Sequence, residues 1–284
     1  MSALTNPTNT ATLDDIYAEI IAEARHTASE QTLLPNLIKT FNIGGQPGKV
    51  LSVPKYGTVT AAEVAEGNDI TASALSTSED SITVKTYGAS VLLSDFAVMS
   101  GQGNVAAETG KVLGNAVAAK VDDVICALFS SADFTTSIGT AGAENSVTDI
   151  FKAVAHLRNN KYTGQLTAVL HPFQAYAIKT ALAASGSSYT NDLSNEALRT
   201  GYIGNIAGVN VFEHSAVTVD GSDDATGFVF AEEALGIAMK RDFEVESQRD
   251  ASARSTELVA TMYMGADVLE PLAGVKLVGD ALLG

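Results

Sequence analysis

The stretch that decides the fold is NVAAETGKVLGNAVAAKVDDVICALFS, residues 104–130. Its apolar residues recur at spacings of four, four, three and four, as expected for one face of an α-helix: Leu113, Val117, Val121, Val124 and Leu128. Charged residues such as Asp122 and Asp123 fall mostly elsewhere on that helix. At about 1.5 Å per residue the helix would reach about 40 Å, more than an ordinary globular helix. Because strand-like sequence lies on both sides, we expect a spine helix crossed by a sheet.

The composition limits the possible classes of protein. The 284 residues suffice for one large domain or two smaller ones, and 46% of them are hydrophobic. No apolar run is long enough to span a membrane, and the first residues lack the pattern of a secretion signal. The single cysteine, Cys126, excludes an internal disulfide, and we interpret it as a buried, inert thiol.

The charge is strongly acidic, with 33 acidic against 17 basic residues and a formal net charge of −16. A chain of this charge is a poor candidate for sequence-nonspecific nucleic-acid binding through a basic face. Copies of it also repel each other until salt or close packing compensates. The charge is compatible with a container that must not stick to its contents.

The N-terminal region predicts one helix after a polar start. Residues 12–24 carry an apolar stripe that includes Tyr17, and Pro35 ends or bends the chain beyond it. A one-sided apolar helix so near a terminus docks on its own domain or serves as an arm on a neighbour.

Residues 45–93 predict a long two-stranded excursion. A short strand at 50–57 is followed by a small-residue, polar stretch at 58–80 that has too little apolar surface for a core of its own. The returning strand at 81–93 alternates, with Ile82 and Val84 on one face. Because an isolated hairpin is marginally stable in water, we expect another subunit to cover it.

The second half of the chain predicts a helix–strand–helix unit and then closing strands. Residues 148–160 form a helix whose apolar side includes Phe151, residues 166–170 a buried strand, and Pro172 opens the next helix. A long surface segment precedes a strand at 209–212. Alternating residues around 243–247 and 258–264 predict two more strands, and a further strand closes the chain.

No sequence motif for catalysis, nucleotide binding or metal binding is complete. The glycine-rich residues 44–50 miss two of the four fixed positions of a phosphate loop, and the turn at 220–227 lacks the glycine and glutamate of a calcium loop. The four histidines are far apart in sequence, and no GxSxG motif occurs. Paired carboxylates, including Asp122 and Asp123, are interpreted as solvated faces. We therefore predict no catalytic residue, no cofactor, no metal and no enzyme.

The order of these elements resembles the major capsid proteins of tailed bacteriophages with the HK97 fold, over nearly the whole chain from residue 12. AAEVAEGNDITAS (61–73) is similar to the family's Glu-Gly segment in the extended loop, here Glu66 and Gly67. ITVKTYGASVLLSDFAVMS (82–100) is similar to the strand that ends in a serine–acid pair, here Ser94 and Asp95. GFVFAEEALGIAMKRDFEVESQRD (227–250) resembles a strand, short helix and strand of the peripheral domain.

The resemblance implies an α+β fold with four parts. These are an N-terminal arm at 1–40, an extended β-hairpin loop (E-loop) with flanking strands at 41–95, a peripheral (P) domain at 96–147 and 227–262 containing the spine helix 104–130, and an axial (A) domain at 148–226 and 263–284. The loop and arm would reach neighbours in pentamers and hexamers. Candidate assembly contacts are Tyr17, Tyr56, Glu66, Gly67 and Lys85. Lys55 and Lys85 lie in or near the loop, but no motif assigns either of them a cross-linking role.

The implied function is that of a structural major capsid protein of an icosahedral phage head enclosing double-stranded DNA. Its partners would be copies of itself, a separate scaffolding protein and a portal, with no membrane. It would assemble in the host bacterial cytoplasm and reside in the virion. Two alternatives stay open: a cellular nanocompartment (encapsulin-like) shell protein with the same fold, and a soluble α/β enzyme that uses scattered carboxylates.

Overall fold

A computed structural model describes residues 33–57, 59–61, 63–67, 69–70, 72, 74–100, 105–184 and 205–281. Tyr17 and the helix predicted at 12–24 lie outside these residues. The helices of the described chain are α1 (Asp95–Ser100), α2 (Val105–Phe129), α3 (Val147–Asn159) and α4 (Pro172–Ala184). The strands are β1 (Lys39–Asn42), β2 (Val50–Tyr56), β3 (Thr77–Thr83), β4 (Lys85–Ser94), β5 (Ser137–Gly139), β6 (Leu166–Leu170), β7 (Asn205–Ile206), β8 (Val209–Glu213), β9 (Asp224–Ala231), β10 (Leu235–Asp250), β11 (Ser255–Val268) and β12 (Gly274–Asp280).

One sheet has four strands in the order β1–β10–β11–β4. Its centre is the antiparallel pair of β10 and β11, and β1 adds to β10 in parallel. Side chains alternate along β11, so that Leu258, Ala260, Met262 and Met264 are buried on one face. The strands predicted from the alternation at 243–247 and 258–264 are therefore confirmed.

A second sheet has six strands in the order β5–β12–β9–β6–β8–β7. Strand β6 is buried along its whole length and runs parallel to β8, with α4 as the crossover between them. The predicted helix–strand–helix unit is confirmed. The predicted apolar side of α3 was wrong at Phe151, which is 54% exposed, because Ile150, Ala153 and Leu157 form the face that packs inward.

The spine helix α2 lies against both sheets and is confirmed to within one residue at each end. It contacts β4 and β11 of the four-stranded sheet and β9 of the six-stranded sheet. At its C-terminal end Phe129 stacks on Phe228 of β9, with ring centroids 5.0 Å apart. The helix therefore joins the two sheets through one continuous core.

The buried stripe of α2 differs from the predicted one. Leu113, Val117 and Val121 are buried as expected, but the stripe then continues through Ile125 and Phe129, while Val124 and Leu128 are only partly buried. Steps of four residues drift slowly around a helix with 3.6 residues per turn. The buried face therefore rotates gradually along α2, which contacts the four-stranded and the six-stranded sheet.

The prediction that Asp122 and Asp123 form a solvated face was wrong for Asp122. Asp123 is exposed, whereas Asp122 retains 1% of its surface. Neighbouring positions on a helix point about 100° apart. One acid of a pair can therefore face the core while the other faces solvent.

The returning strand predicted at 81–93 is divided in the structure. Strand β3 pairs with β2 as an antiparallel hairpin, and β4 pairs with β11 in the four-stranded sheet. The chain passes between them at Val84, whose N–H donates to the carbonyl of Lys49. The excursion is therefore a separate two-stranded hairpin rooted on the sheet.

Candidate assembly surfaces

The hairpin β2–β3 carries a long exposed tip. Its register runs from Val50 opposite Thr83 to Tyr56 opposite Thr77, and the N–H of Gly57 donates to the carbonyl of Ser76 over 2.8 Å. Beyond that bond, every described residue of 57–76 is exposed and none lies in a helix or strand. The tip therefore has no core of its own, as the sequence predicted.

The tip nevertheless exposes large apolar side chains. Ile70 is 81% exposed and Tyr56 is 69% exposed, and further aliphatic side chains of the tip are also in solvent: Val59, Val64 and Leu75. Apolar groups concentrated on one projecting element are typical of a surface that another protein covers. The predicted contact residue Tyr56 belongs to this surface.

Glu66 and Gly67 form a turn in the middle of the tip, and both are exposed. Gly67 has a φ of +85°, a left-handed backbone conformation that side chains with a Cβ disfavour. The glycine is thus explained by the turn, and Glu66 presents its carboxylate at the same exposed place.

The base of the hairpin is held by a small core. Ile82 and Val84 pack with Ile43, Ala238 and Leu269, separately from the main core. The pairing of Ile82 and Val84 on one buried face confirms their predicted alternation. Because of this small core, the root of the hairpin is fixed to the sheet while its tip projects.

An ion pair adds to that attachment. Lys55 Nζ lies 2.6 Å from an oxygen of Asp80 on the partner strand, and 3.9 Å from an oxygen of Glu270 in the turn before β12. Lys55 thereby bridges the hairpin to the body of the subunit. Lys85 is exposed at the first position of β4. Lys55 and Lys85 are therefore in different settings, one paired across the hairpin and one on the sheet.

A second apolar surface lies where β4 meets α1. Phe96 is 80% exposed, and Leu92, four residues earlier in the chain, is exposed as well. The backbone there is held by Arg249, whose two terminal nitrogens donate to the carboxylate of Asp95 over 2.6 and 2.7 Å. These hydrogen bonds hold the pKa of Asp95 below its ordinary value. The predicted serine–acid pair at Ser94 and Asp95 marks the boundary between strand and helix.

Groups that could carry chemistry are sparse in the described part of the chain. Within it, no cluster of three or more His, Cys, Asp or Glu side chains could hold a metal ion. Cys126 is fully buried, and burial raises the pKa of its thiol far above the ordinary range. None of the helices that the structure describes is long and apolar enough to cross a membrane.

One polar cluster was missed from the sequence. Asp122 in the C-terminal half of α2 accepts hydrogen bonds from the backbone of Leu33 and Leu34, and its carboxylate lies 2.9 Å from Nε2 of His214. No spacing in the sequence signals this cluster, because its members come from three distant parts of the chain.

A projecting tip whose described residues are exposed, and a second exposed apolar surface at the β4–α1 junction, are typical of a subunit that other proteins cover. A model of the family described as phage capsid protein matches residues 78–277. The chain therefore belongs to the phage capsid protein family. This confirms the prediction of a phage capsid protein and favours it over the nanocompartment shell and the soluble enzyme.

Similar proteins agree with this assignment. The major capsid protein of Staphylococcus phage phiMR11 is 23% identical over 273 residues, which cover 94% of this chain and 95% of that protein. A structure from Mycobacterium phage Che8 has a TM-score of 0.68 at 21% identity, covering 87% of this chain and 90% of its own.

Two further structures extend the comparison of folds. The head structure of Helicobacter pylori bacteriophage KHP40 has a TM-score of 0.69 at 14% identity and covers 86% of this chain and 88% of its own. The virus-like particle from Pyrococcus furiosus has a TM-score of 0.61 at 10% identity. The match covers 92% of this chain and 98% of its own. The expected α+β, HK97-like fold is confirmed.

Proposed function

We propose that this capsid protein assembles through hexamers and pentamers into the icosahedral head of a phage and encloses double-stranded DNA. Its role is structural, not catalytic. The observation that carries the proposal is the hairpin tip at 57–76, which is exposed throughout its described part yet rich in large apolar side chains. Such a surface is typical of an interaction site, and in a symmetric shell another copy of the chain would cover it.

The proposed domain organisation has four parts. Residues 1–40 act as an N-terminal arm and 41–95 as the extended loop with its flanking strands. Residues 96–147 and 227–262, with the spine helix, form the peripheral domain, and 148–226 with 263–284 form the axial domain. The projecting hairpin supports the extended loop as a part of its own.

The proposed contact residues lie on the parts that reach outward. Tyr56 places an aromatic ring at the root of the tip, and Glu66 with Gly67 presents a turn at its middle. Lys85 adds a positive charge at the start of β4, and Tyr17 would act from the arm. In a strongly acidic shell, an exposed lysine is a natural partner for a neighbour's carboxylate.

The proposed partners beyond the shell are a separate scaffolding protein and a portal. Assembly would occur in the host bacterial cytoplasm before the subunit becomes part of the virion. DNA would be held by enclosure, since a net charge of −16 opposes adhesion to the phosphate backbone.

The particle mass of the protein, purified after co-expression with its neighbouring genes, tests the proposal. Multi-angle light scattering should find narrowly distributed particles of megadalton mass. Nuclease-protected DNA inside particles isolated from infected cells would separate a phage head from a compartment that holds cargo proteins. A chain that stays a monomer or dimer at high concentration in the presence of those gene products would contradict the proposal.

A shortened hairpin tests the role of the tip itself. Replacing residues 58–75 by Asn-Gly joins Gly57 to Ser76, which already share a backbone hydrogen bond, through a favourable two-residue turn. The subunit should fold with its thermal unfolding unchanged, because no described residue of the tip belongs to either core, yet shells should not form.

The matched point variants are Ile70→Ser and Val219→Ser, which both shorten an exposed aliphatic side chain. Shell yield should fall for the tip variant and stay at the parent level for Val219→Ser. If the shortened hairpin unfolded the subunit, or if it assembled normally, the tip would not be an inter-subunit element.

A further inference from the structure

The carboxylate of Asp122 is the most deeply buried acidic group of the spine helix. Asp122 keeps 1% of its surface, and Val121 and Ile125, close to it in the helix sequence, are buried as well. Burying a carboxylate is costly unless hydrogen-bond donors replace water. Donors must therefore converge on Asp122 for the helix to tolerate it.

The donors come from two parts of the chain outside the helix. The N–H of Leu34 donates to Oδ1 over 3.3 Å, and the N–H of Leu33 donates to Oδ2 over 3.5 Å. His214, just after β8, places Nε2 2.9 Å from Oδ2. One carboxylate thus ties the spine helix both to the six-stranded sheet and to the backbone of Leu33 and Leu34.

The ring of His214 is itself held in place. The N–H of Ala216 donates to its Nδ1 over 3.1 Å, so Nδ1 acts as an acceptor there. In a neutral ring the proton then resides on Nε2, which donates to Asp122. The histidine is therefore oriented at both nitrogens and offers the carboxylate a fixed donor.

Apolar packing secures the same point of the chain. Leu34 is fully buried in the main core, and the 3₁₀ turn Leu34–Asn36 lies against α2. Pro35 restricts the backbone of this turn at its start. Leu34 is thus held by apolar packing, and the carboxylate of Asp122 holds the amides of Leu33 and Leu34 beside it.

We propose that Asp122, oriented by His214, is the anchor that fixes the backbone of Leu33 and Leu34 to the spine helix, and with it the point to which the preceding N-terminal residues are attached. Asp122 is a positioning residue in this role, because it acts through the backbone of Leu33 and Leu34. A fixed exit point reduces the conformational freedom that a segment must lose when it binds an adjacent copy. This inference rests on the proposed function, in which residues before Leu33 serve as part of an arm.

Hydrogen exchange of the free subunit tests the anchor without requiring shells to form. Asp122→Asn removes the charge and leaves an amide group that competes as a donor, so exchange at Leu33 and Leu34 should rise at least tenfold. Asp123→Asn is the matched control, because it makes the same charge change on the exposed neighbour. It should leave exchange at both amides unchanged. The buried strand β6 serves as the internal reference for global stability.

Distances between spin labels test whether the anchor positions the segment. One label at Glu30→Cys precedes Leu33, and a second at Ala181→Cys lies on the exposed side of α4. The native thiol at Cys126 is buried and does not compete for the label. The distance distribution should at least double in width in Asp122→Asn and keep its width in Asp123→Asn.

Two results would overturn the inference. Equal exchange and equal distance distributions in the two variants would show that the carboxylate does not hold the segment. A rise in exchange that is as large at β6 as at Leu33 and Leu34 would show a general role in stability. Neither result depends on shell formation, so a failure of the anchor and a failure of the proposed function are distinguishable.

Discussion

Glycine is required at position 265 because the root of the hairpin crosses β11 there. A Cβ at Gly265 would lie under 3.0 Å from the carbonyl oxygen and carbon of Thr83, and close to the backbone of Val84. These are backbone atoms at the junction of β3 and β4, so they cannot rotate away as a side chain would. A single hydrogen atom in place of a methyl group thus allows the hairpin to seat on the sheet.

Gly265→Ala should therefore displace the hairpin root and lower the free energy of unfolding by about 1–3 kcal/mol, the usual cost of overpacking. Gly164→Ala is the control, since a Cβ there meets nothing within 4 Å and its φ is not in the left-handed range. Urea unfolding of both variants measures the difference. Equal stability would show that the hairpin root adjusts without cost.

A second single residue, His171, makes the free energy of unfolding depend on pH. Its Nδ1 accepts the N–H of Phe173 at the start of α4, and burial lowers the pKa of the imidazole below its ordinary value. The unfolded chain, with a histidine pKa of about 6.5, then binds a proton more readily than the folded one. The contribution of His171 to the free energy of unfolding is therefore complete above pH of about 6.5. It is lost as the pH falls toward the lower pKa of the folded state.

His171→Asn should flatten that dependence, because the amide oxygen can accept the same N–H and has no proton to gain. The measurement is the melting temperature between pH 7 and pH 5, roughly the range in which histidine titrates. The melting temperature should decline less steeply with falling pH in the variant than in the parent. Parallel declines in the two proteins would mean that His171 does not contribute.

At the scale of elements, an aromatic cluster joins the spine helix to the six-stranded sheet. Phe129 of α2 stacks on Phe228 of β9, Phe230 lies next along the same strand, and Phe134 meets Phe228 edge-on with centroids 4.5 Å apart. All four side chains are fully buried. Since they link two elements that hydrogen bonds do not join, packing decides how helix and sheet meet.

Phe129→Ala should cost about 3–5 kcal/mol of unfolding free energy through lost burial and the cavity left behind. Phe96→Ala is the matched control, because the same truncation at an exposed position leaves no cavity. Denaturant unfolding should separate the two variants clearly. A small effect at Phe129 would mean that the neighbouring rings close the space.

At the scale of the whole molecule, attraction between apolar surfaces competes with repulsion between charges. The hairpin tip and the β4–α1 surface expose large apolar side chains, while the net charge of each copy is −16. The range of the repulsion depends on salt, since the screening length falls from about 30 Å at 0.01 M to about 8 Å at 0.15 M. Contacts between copies should therefore form more readily as salt rises.

Light scattering during assembly checks this balance. The rate of particle formation should rise when sodium chloride is increased from about 0.01 M to about 0.15 M, because screening shortens the repulsion. Potassium chloride over the same range is the control for a specific effect of sodium. A rate that falls with salt would show that ion pairs between copies, not apolar contacts, dominate assembly.

Candidate assembly residues were predictable only where exposure follows from composition. The small, polar stretch at 58–80 predicted a tip without a core, and Tyr56, Glu66 and Gly67 are all exposed in or beside it. The surface at Leu92 and Phe96 was not predicted, because apolar residues on a strand and a short helix look like core residues until their neighbours are known. Exposure is a property of the packed molecule.

By itself, the sequence determined the order and kind of the elements: the spine helix, the projecting hairpin, the helix–strand–helix unit and the closing strands. Periodicity reports these because it depends on residues that are close along the chain. Only the tertiary structure decided that the excursion divides at Val84 and that Asp122 is buried while Asp123 is not. The amides that hold Asp122 lie 89 and 88 residues away in sequence, and no local pattern encodes a contact over that separation.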